Sequence, residues 1–337
     1  MRPVLLRLAL LLAVLAPVAA AAPEAIGAGP DAVAADTARA ALDSLVALPA
    51  MTPRDPQAGI RLTPHALALD PLNRIWVLDR SRGRVLRLDP GREGPSAGEG
   101  FSFSPAAQTG DAAGAPYSDL AASGTFLYLL DPAVPAIALL DLDGHLRDRV
   151  DLSSEIERAG RRGFLASRLI VGRSGDLWLA DLHSGDLLHF DRRGRFLEAP
   201  LDALAGPDRP SLIEDLALDE DDTLRLLVAD PPRLAGLDPE GRILPARSIG
   251  PTLPVPASLA TTPAGEIVVL DASGVVRIFP RGGGPPRWEG VPPGGERTSG
   301  VHPILVDRQG ILYRADPTRG QILRWRIVPP AGGDDAR

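Results

Sequence analysis

The side chains best suited to chemistry are two histidines and a glutamate, His65, His302 and Glu214. Each stands five positions before the end of a short apolar run, so they share one place in a repeated pattern. Two imidazoles and a carboxylate are a ligand set of catalytic zinc, which needs three protein ligands and an open position for water. The alternative is that both histidines hydrogen-bond loop backbone. In the other three runs this place holds Ser118, Arg168 and Ala257.

These residues belong to a larger repeat, in which an apolar run ends in aspartate. The six aspartates are Asp79, Asp131, Asp181, Asp230, Asp271 and Asp316, and they are 52, 50, 49, 41 and 45 residues apart. A period of about 40 to 50 residues built from short strand-like runs is typical of a β-propeller. We interpret the aspartates as structural, because a carboxylate at a strand end accepts N–H bonds from the next turn. A ring of carboxylates around a cation is the other hypothesis.

Each repeat predicts one blade of four antiparallel strands. A second apolar run precedes the aspartate run, a third follows it, and a weaker fourth forms the outer edge. The last repeat lacks an outer strand. We expect residues 44–48 to supply it, so that hydrogen bonds between the two chain ends close a six-bladed ring and leave no strand edge unpaired. One short helix is predicted at 153–160, with Ser153 and Ser154 as N-caps.

The composition of the chain and its N-terminal segment limit the cellular compartments and the partners to be expected. The chain has 337 residues, no cysteine and a formal net charge of -7. It therefore lacks a disulfide framework and a thiolate nucleophile, and nucleic acid is not an expected partner. Arg2 and Arg7, an apolar stretch and the alanines at 19–22 are typical of a secretory signal peptide. An uncleaved membrane anchor is the alternative.

The chain divides into four predicted parts. These are a signal peptide at 1–21, a flexible leader at 22–43, the six-bladed propeller at 44–328 and a disordered tail at 329–337. We expect a periplasmic or secreted bacterial monomer without an integral membrane domain once the signal is cleaved.

Two segments resemble the NHL repeat: RIWVLDRSRGRVLRLDPGR at 74–92 and DLWLADLHSGDLLHFDRRGRF at 176–196. The resemblance covers about residues 60 to 328. It implies a six-bladed propeller but no single activity, since NHL-like families include interaction scaffolds, lactonases and lyases. Blade four departs from the pattern, with an acidic turn at 220–222 and two prolines at 231–232.

Two branches of these propellers imply metals. The amidating lyase branch implies zinc held by three histidines at the channel mouth, of which only His65 and His302 match here. The lactonase branch implies calcium held by oxygen donors. Its asparagine has no counterpart at the mouth, because Asn73 is the only asparagine and lies in a turn at the opposite face. The remaining oxygen ligands are Glu214, Asp215 and Asp119.

Two functions stay open, besides a purely structural or sensory module that the sequence does not separate from the first of them. One is a non-enzymatic binding module of the cell envelope, in which the loop-rich mouth, with the segments 91–116 and 285–300, recognises a protein, peptide or glycan. The other is a metal-dependent lyase or lactonase with zinc or calcium at the channel mouth, where Arg168 steadies an anionic group. The candidate residues for both are His65, Asp119, Arg168, Glu214, Asp215 and His302.

Overall fold

The computed structural model describes residues 45–54, 61–89, 102–103, 117–181, 184–249, 255–296 and 302–329. Their strands form six four-stranded antiparallel sheets. The innermost strands of successive sheets contact one another in order, and the last contacts the first. The predicted six-bladed β-propeller is therefore confirmed. The predicted signal peptide and leader lie outside the described residues, as does the tail from residue 330.

Each blade runs from an innermost strand at the channel to an outer strand. Blade one comprises Ala66–Leu69, Ile75–Asp79, Arg84–Leu88 and Ser102–Phe103. Blade two comprises Asp119–Ser123, Phe126–Asp131, Ala136–Asp141 and Leu146–Asp151. Blade three comprises Ala166–Val171, Leu177–Asp181, Leu187–Phe190 and Phe196–Glu198.

The remaining blades repeat this order. Blade four comprises Ile213–Leu218, Leu224–Val228, Arg233–Leu237 and Ile243–Ser248. Blade five comprises Pro256–Thr261, Ile267–Asp271, Val276–Phe279 and Trp288–Gly290. Blade six comprises Ile304–Val306, Ile311–Asp316, Gln321–Ile327 and, from the other end of the chain, Leu45–Met51.

The second strand of each blade is largely buried on both faces, as its continuous apolar run requires. Every residue of Ile75–Asp79 and of Ile267–Asp271 is buried. Apolar clusters lie between neighbouring blades. One of them joins Trp76 of blade one to Leu127 and Leu140 of blade two. The core is therefore a series of interfaces between sheets, so each blade depends on its neighbours.

The strand Leu45–Met51 closes the ring. It pairs antiparallel with Gln321–Ile327, with Leu45 opposite Ile327 and Met51 opposite Ile322. Leu45 and Met51 are each 1% exposed, so both ends of the strand are anchored in the core. The predicted closure is confirmed, and the strand continues three residues beyond the predicted segment 44–48.

The first and last blades also contact each other directly, through the turn at residues 71–73 of blade one and the turn at residues 308–309 of blade six. The side-chain oxygen of Asn73 accepts the backbone N–H of Arg308 (3.0 Å), and the guanidinium of Arg308 donates to the carbonyl oxygen of Pro71 (2.6 Å). Asn73 also donates to the side chain of Gln309. The single asparagine therefore has a structural role at the junction of the ring.

Short helices lie between blades. The predicted helix between blades two and three occurs at Ser153–Arg158. Its N-cap residue is Leu152, so the prediction of a serine cap is wrong; the carboxylate of Asp151 accepts the N–H of Ser153 (2.8 Å) instead. Two 3-10 helices, Pro200–Ala203 and Gly206–Asp208, connect blades three and four. Among the described residues, no helix is long and apolar enough to cross a membrane.

Five of the six repeat aspartates are structural, as predicted. Each is buried, and each accepts a backbone N–H of the turn that follows it: Asp79, Asp131, Asp181, Asp271 and Asp316. Asp79 also accepts the N–H of Thr63 (2.9 Å), and Asp181 that of Leu165 (2.8 Å). These carboxylates tie the entry of the innermost strand to the end of the second strand.

The sixth aspartate does not belong to the set. The second strand of blade four ends at Val228, which pairs with Ile213 as Asp181 pairs with Ala166 in blade three. Asp230 lies two residues further along and is exposed. The prediction that Asp230 is equivalent to the others is wrong, because backbone pairing sets the register and the similar letters LLVAD do not.

Ring closure predicts a difference between two deletions. Deleting residues 1–52 removes the outer strand of blade six and two buried side chains, so we expect Tm to fall by roughly 10 °C or more. Deleting residues 1–43 leaves that strand in place and should leave Tm unchanged. Thermal melts followed by circular dichroism test this, and coincident curves for the two deletions would contradict it.

Candidate functional site at the channel mouth

The channel contains a cavity of about 480 Å³ that extends from the beginning of the innermost strands along their length. Every blade contributes four consecutive residues to its wall: 66–69, 119–122, 168–171, 215–218, 258–261 and 303–306. His65, Ser118 and Arg80 complete the lining. We call the first residue from each blade the first ring: Ala66, Asp119, Arg168, Asp215, Ser258 and Pro303.

The fourth residue from each blade separates the two ends of the channel. These six residues are Leu69, Ala122, Val171, Leu218, Thr261 and Val306, and they also line a second cavity of about 370 Å³. Five of the six are apolar, whereas the first ring carries three charged side chains and a serine. Polar chemistry in the larger cavity is therefore concentrated at one level, the first ring.

Backbone pairing corrects the predicted alignment in blade three. Arg168 pairs with Ala180, the residue before the repeat aspartate, just as Asp119 pairs with Leu130. Arg168 is therefore one position beyond the place of His65 and Glu214, and Ser167 occupies that place. The predicted alignment counted back from Arg173 as the end of the innermost strand. The strand ends at Val171, so the count should start from Gly172, one residue earlier. This correction puts Arg168 level with two carboxylates.

Asp215 connects three blades. One of its oxygens accepts the N–H of Leu216 (3.0 Å) and lies 3.3 Å from Nε of Arg168 in blade three. The other accepts the hydroxyl of Ser258 (2.7 Å) and the N–H of Leu259 (2.8 Å) in blade five. Both oxygens are fully used, so Asp215 holds the ring together and has no free lone pair directed at a ligand.

Ser258 extends this chain to blade six. Its hydroxyl donates to Asp215 and accepts the N–H of Ile304 (3.2 Å), and the residue is 1% exposed. The sequence analysis missed Ser258. The sequence count that aligns Ala257 with Glu214 also aligns Ser258 with Asp215, and both strands have a bulge just before that place, but only the preceding position was considered.

Asp119 is the first-ring group with an unusual proton affinity. Its carboxylate accepts the N–H of Leu120 (2.9 Å) and, from the next blade, that of Leu169 (2.8 Å). Burial raises the pKa of Asp119 to about 6, since the opposing effect of the Arg168 charge and of these hydrogen bonds is smaller. The repulsion of Asp215 acts in the same direction as burial. Asp119 therefore titrates close to neutral pH.

Arg168 is the cation among three carboxylates. Burial lowers the pKa of its guanidinium, but the charges of Asp215, Asp119 and Glu214 outweigh that effect and raise it. Its side chain is 27% exposed, and one guanidinium nitrogen donates to the carbonyl oxygen of Ser167 (3.1 Å). Arg168 is thus permanently charged, and its position is set by two neighbours.

His65 and Ser118 lie beside the first ring. Nδ1–H of His65 donates to the carbonyl oxygen of Thr63 (2.7 Å), which leaves Nε2 as the acceptor of the neutral ring. The hydroxyl oxygen of Ser118 is buried and has no hydrogen-bond partner in the described part of the chain. The Nε2 atom of His65 can therefore offer an acceptor to a ligand, whereas the Ser118 hydroxyl is buried.

His302 and Glu214 do not line this cavity. His302 is 3% exposed, and its Nδ1–H donates to the carbonyl oxygen of Ala315 (3.0 Å). Burial and the positive charge of Arg314 lower the pKa of His302, so it stays neutral. Glu214 occupies the bulge beside Asp215, and burial together with the Asp215 charge raises its pKa. Of the six predicted site residues, the cavity brings together His65, Asp119, Arg168 and Asp215.

The predicted metal ligands do not form a metal site. Within the described ranges, no three histidine, aspartate or glutamate side chains are grouped so as to hold a metal ion. This applies to the zinc set His65, His302 and Glu214. It applies also to the calcium set of Asp119, Glu214 and Asp215, whose charges act on the guanidinium of Arg168. We derive no metal chemistry from either set.

The fold is shared with enzymes of known structure, although no protein-family model and no curated protein matches the chain. A streptogramin B lyase is 13% identical with a TM-score of 0.57, over 85% of this chain and 99% of the lyase. A catalytically inactive virginiamycin B lyase from Staphylococcus aureus with quinupristin is 12% identical (TM-score 0.56, 86% and 89% covered). A gluconolactonase from Xanthomonas campestris is 17% identical (TM-score 0.54, 84% and 98% covered). At such identities the likeness shows the fold alone.

The titration of Asp119 predicts a pH-dependent stability. With a folded-state pKa of about 6 against its ordinary 3.8, the native state binds more protons than the unfolded chain between these values. Stability from this group therefore falls as pH rises from about 4 to 6. Relative to wild type, Asp119→Asn should gain roughly 1 to 3 kcal/mol over that window. Urea unfolding at several pH values measures it. The exposed variant Asp143→Asn should track wild type, and parallel behaviour of Asp119→Asn would contradict the shift.

The hydrogen bonds of Ser258 predict a stability cost. Ser258→Ala leaves the N–H of Ile304 without its acceptor and removes one of the two donors to an Asp215 oxygen, so we expect a loss of about 1 to 3 kcal/mol. Ser174→Ala removes an exposed turn hydroxyl that bonds Asp176 and should cost less than about 0.5 kcal/mol. Equal unfolding free energies for the two variants would contradict the role assigned to Ser258.

Proposed function

We propose that this chain is an exported, NHL-like propeller of the cell envelope that binds a small polar ligand in the first-ring end of its channel. One observation carries the proposal. A cavity of about 480 Å³ presents Asp119, Arg168 and Asp215 at one level, beside His65 and Ser118. Sites for small ligands have volumes of about 300 to 1,000 Å³, with a few placed polar groups in a largely apolar wall.

The first ring is organised before a ligand arrives. Arg168 is positioned by Asp215 and by the carbonyl of Ser167, while Asp215 is held by Ser258 and two backbone N–H groups. A preorganised site binds more tightly because less conformational entropy is lost on binding. The polar ring therefore supports recognition of a ligand that enters the channel.

The asymmetry of the ring also favours ligand binding. Residues that serve the blades recur from blade to blade, as the repeat aspartates do. The first ring instead has a different side chain in almost every blade, with the charges in blades two, three and four. An asymmetric polar surface inside a cavity fits one orientation of a small ligand.

The location and the remaining partners are part of the proposal. The apolar N-terminal segment with Arg2 and Arg7 supports export, and hence a periplasmic or secreted protein. The net charge of -7 supports a soluble monomer that does not bind nucleic acid. The loop-rich mouth is also compatible with a peptide or glycan as the ligand.

A channel-filling variant tests the proposed site. Amino acids, dipeptides, amines, monosaccharides and lactones, each at millimolar concentration, are added to the mature protein and Tm is measured. We expect at least one class to raise Tm by several degrees. Ser118→Trp should abolish that shift by filling the cavity, whereas the exposed Ser174→Trp should retain it. A shift that survives Ser118→Trp would place the ligand elsewhere, and no shift with any class would count against the proposal.

A catalytic role is the second candidate, and the protonation behaviour of the site favours it. A general base works best with a pKa near the operating pH, and burial brings Asp119 to about 6. His65 offers a second acceptor, because its Nδ1–H is committed to Thr63. The fold neighbours include a streptogramin B lyase and a gluconolactonase. Hydrolysis or elimination assisted by Asp119 would therefore fit this cavity.

The two candidates are separated by turnover. If the protein is a lactonase or lyase, it consumes one of the stabilising compounds, and Asp119→Asn lowers kcat at least a hundredfold. Product analysis by mass spectrometry measures this. A ligand that binds at the first ring and is recovered unchanged would support the binding function and count against the catalytic one.

A further inference from the structure

Two charged side chains in the mouth cavity lack an ionic partner. Within the described residues, the carboxylate of Asp119 accepts backbone N–H groups from Leu120 and Leu169 and forms no ion pair. Arg80, in the turn after Asp79, lines the same cavity and is exposed. Its guanidinium has no hydrogen bond or ion pair with any part of the chain that the structure describes.

The other charged side chains that line the cavity are Arg168 and Asp215, which lie next to each other. Nε of Arg168 lies 3.3 Å from a carboxylate oxygen of Asp215. Apart from that pair, the charged residues lining the cavity are Asp119 and Arg80. The charge of Arg168 also acts on Asp119, so among the described residues Asp119, Arg168 and Asp215 together carry one net negative charge. Arg80 adds one positive charge to the same cavity of about 480 Å³.

We propose that the ligand of this site is a zwitterion, an amino acid or short peptide with free termini, whose ammonium group meets Asp119 and whose carboxylate meets Arg80. The proposal rests on the function proposed above, that the mouth binds a small ligand.

Charge matching distinguishes this class from the alternatives. An anion alone would meet the net negative charge of Asp119, Arg168 and Asp215, and a cation alone would leave Arg80 without a partner among the described residues. A neutral sugar would neutralise neither charge. A zwitterion neutralises both, and attraction between opposite charges is stronger in a channel than at an open surface.

Asp119 and Arg80 should contribute differently to the affinity for the ligand. Asp119 lies inside the ring, so loss of its ammonium partner should cost at least tenfold in affinity. Arg80 is exposed, and its contact with a carboxylate is screened by water and salt. Loss of the ligand carboxylate should therefore cost about threefold to tenfold.

Binding should also move a proton. Burial holds the pKa of free Asp119 at about 6, and a bound ammonium favours the ionised carboxylate. Part of a proton is then released on binding near pH 6. Calorimetry in two buffers with different ionisation enthalpies measures this release, which a purely structural role for Asp119 would not produce.

The test uses a library of dipeptides with free termini, together with the same library N-acetylated or C-amidated. Wild type should bind the free library, with at least tenfold weaker binding after acetylation and about threefold to tenfold weaker binding after amidation. Arg80→Gln should bind the acid and the amide equally well. Asp119→Asn should lose the preference for a free amine and the proton release. The exposed-turn control Arg193→Gln should behave as wild type.

The outcomes separate this inference from the proposed function. Equal affinity of wild type for the free, acetylated and amidated dipeptides would overturn the zwitterion. Binding of sugars or lactones that Ser118→Trp abolishes, without dipeptide binding, would also overturn it and leave the proposed site intact. Absence of binding by every class would overturn both. Arg80 lies in an exposed turn, so its variant keeps the test valid even if Asp119→Asn folds poorly.

Discussion

The structure depends on the pairing of Leu45–Met51 with Gln321–Ile327. A ring of sheets has one seam, and an open seam would expose two strand edges and the apolar faces of the first and last blades. The strand Leu45–Met51 completes blade six. A hydrogen bond between Asn73 of blade one and Arg308 of blade six joins the first blade to the last. Closure holds blade six against blade one, so that the channel has a continuous wall.

Hydrogen bonds at the first ring also connect neighbouring blades. Asp119 and Asp215 each accept a backbone N–H of the next blade, and Ser258 does the same for blade six. These bonds lie between innermost strands, where no sheet hydrogen bond connects the blades. The polar residues that shape the cavity therefore also set the angles between blades, and the site cannot change independently of the scaffold.

At the first ring, the stability of the folded protein competes with the recognition of a ligand. A carboxylate inside the ring loses hydration, and Asp119 recovers it only through backbone N–H groups and the nearby charge of Arg168. An apolar residue would fit the blade without this cost, as Ala66 and Pro303 do in blades one and six. The proposed ligand, which brings a positive group to Asp119, would offset this cost.

The sequence alone determined the number of blades, the four-stranded plan, the ring closure and the short helix, because local apolar periodicity and turn residues encode them. It also identified His65, Asp119, Arg168 and Asp215 as residues of the mouth. Only the tertiary structure decided that Arg168 lies level with the carboxylates, that His302 is buried outside the cavity, and that Arg80 and Ser258 belong to the site. The strand of blade three ends one residue earlier than its sequence suggests, which shifts the register of its side chains, and contacts between blades join residues about 45 positions apart. Neither effect leaves a pattern in the local sequence.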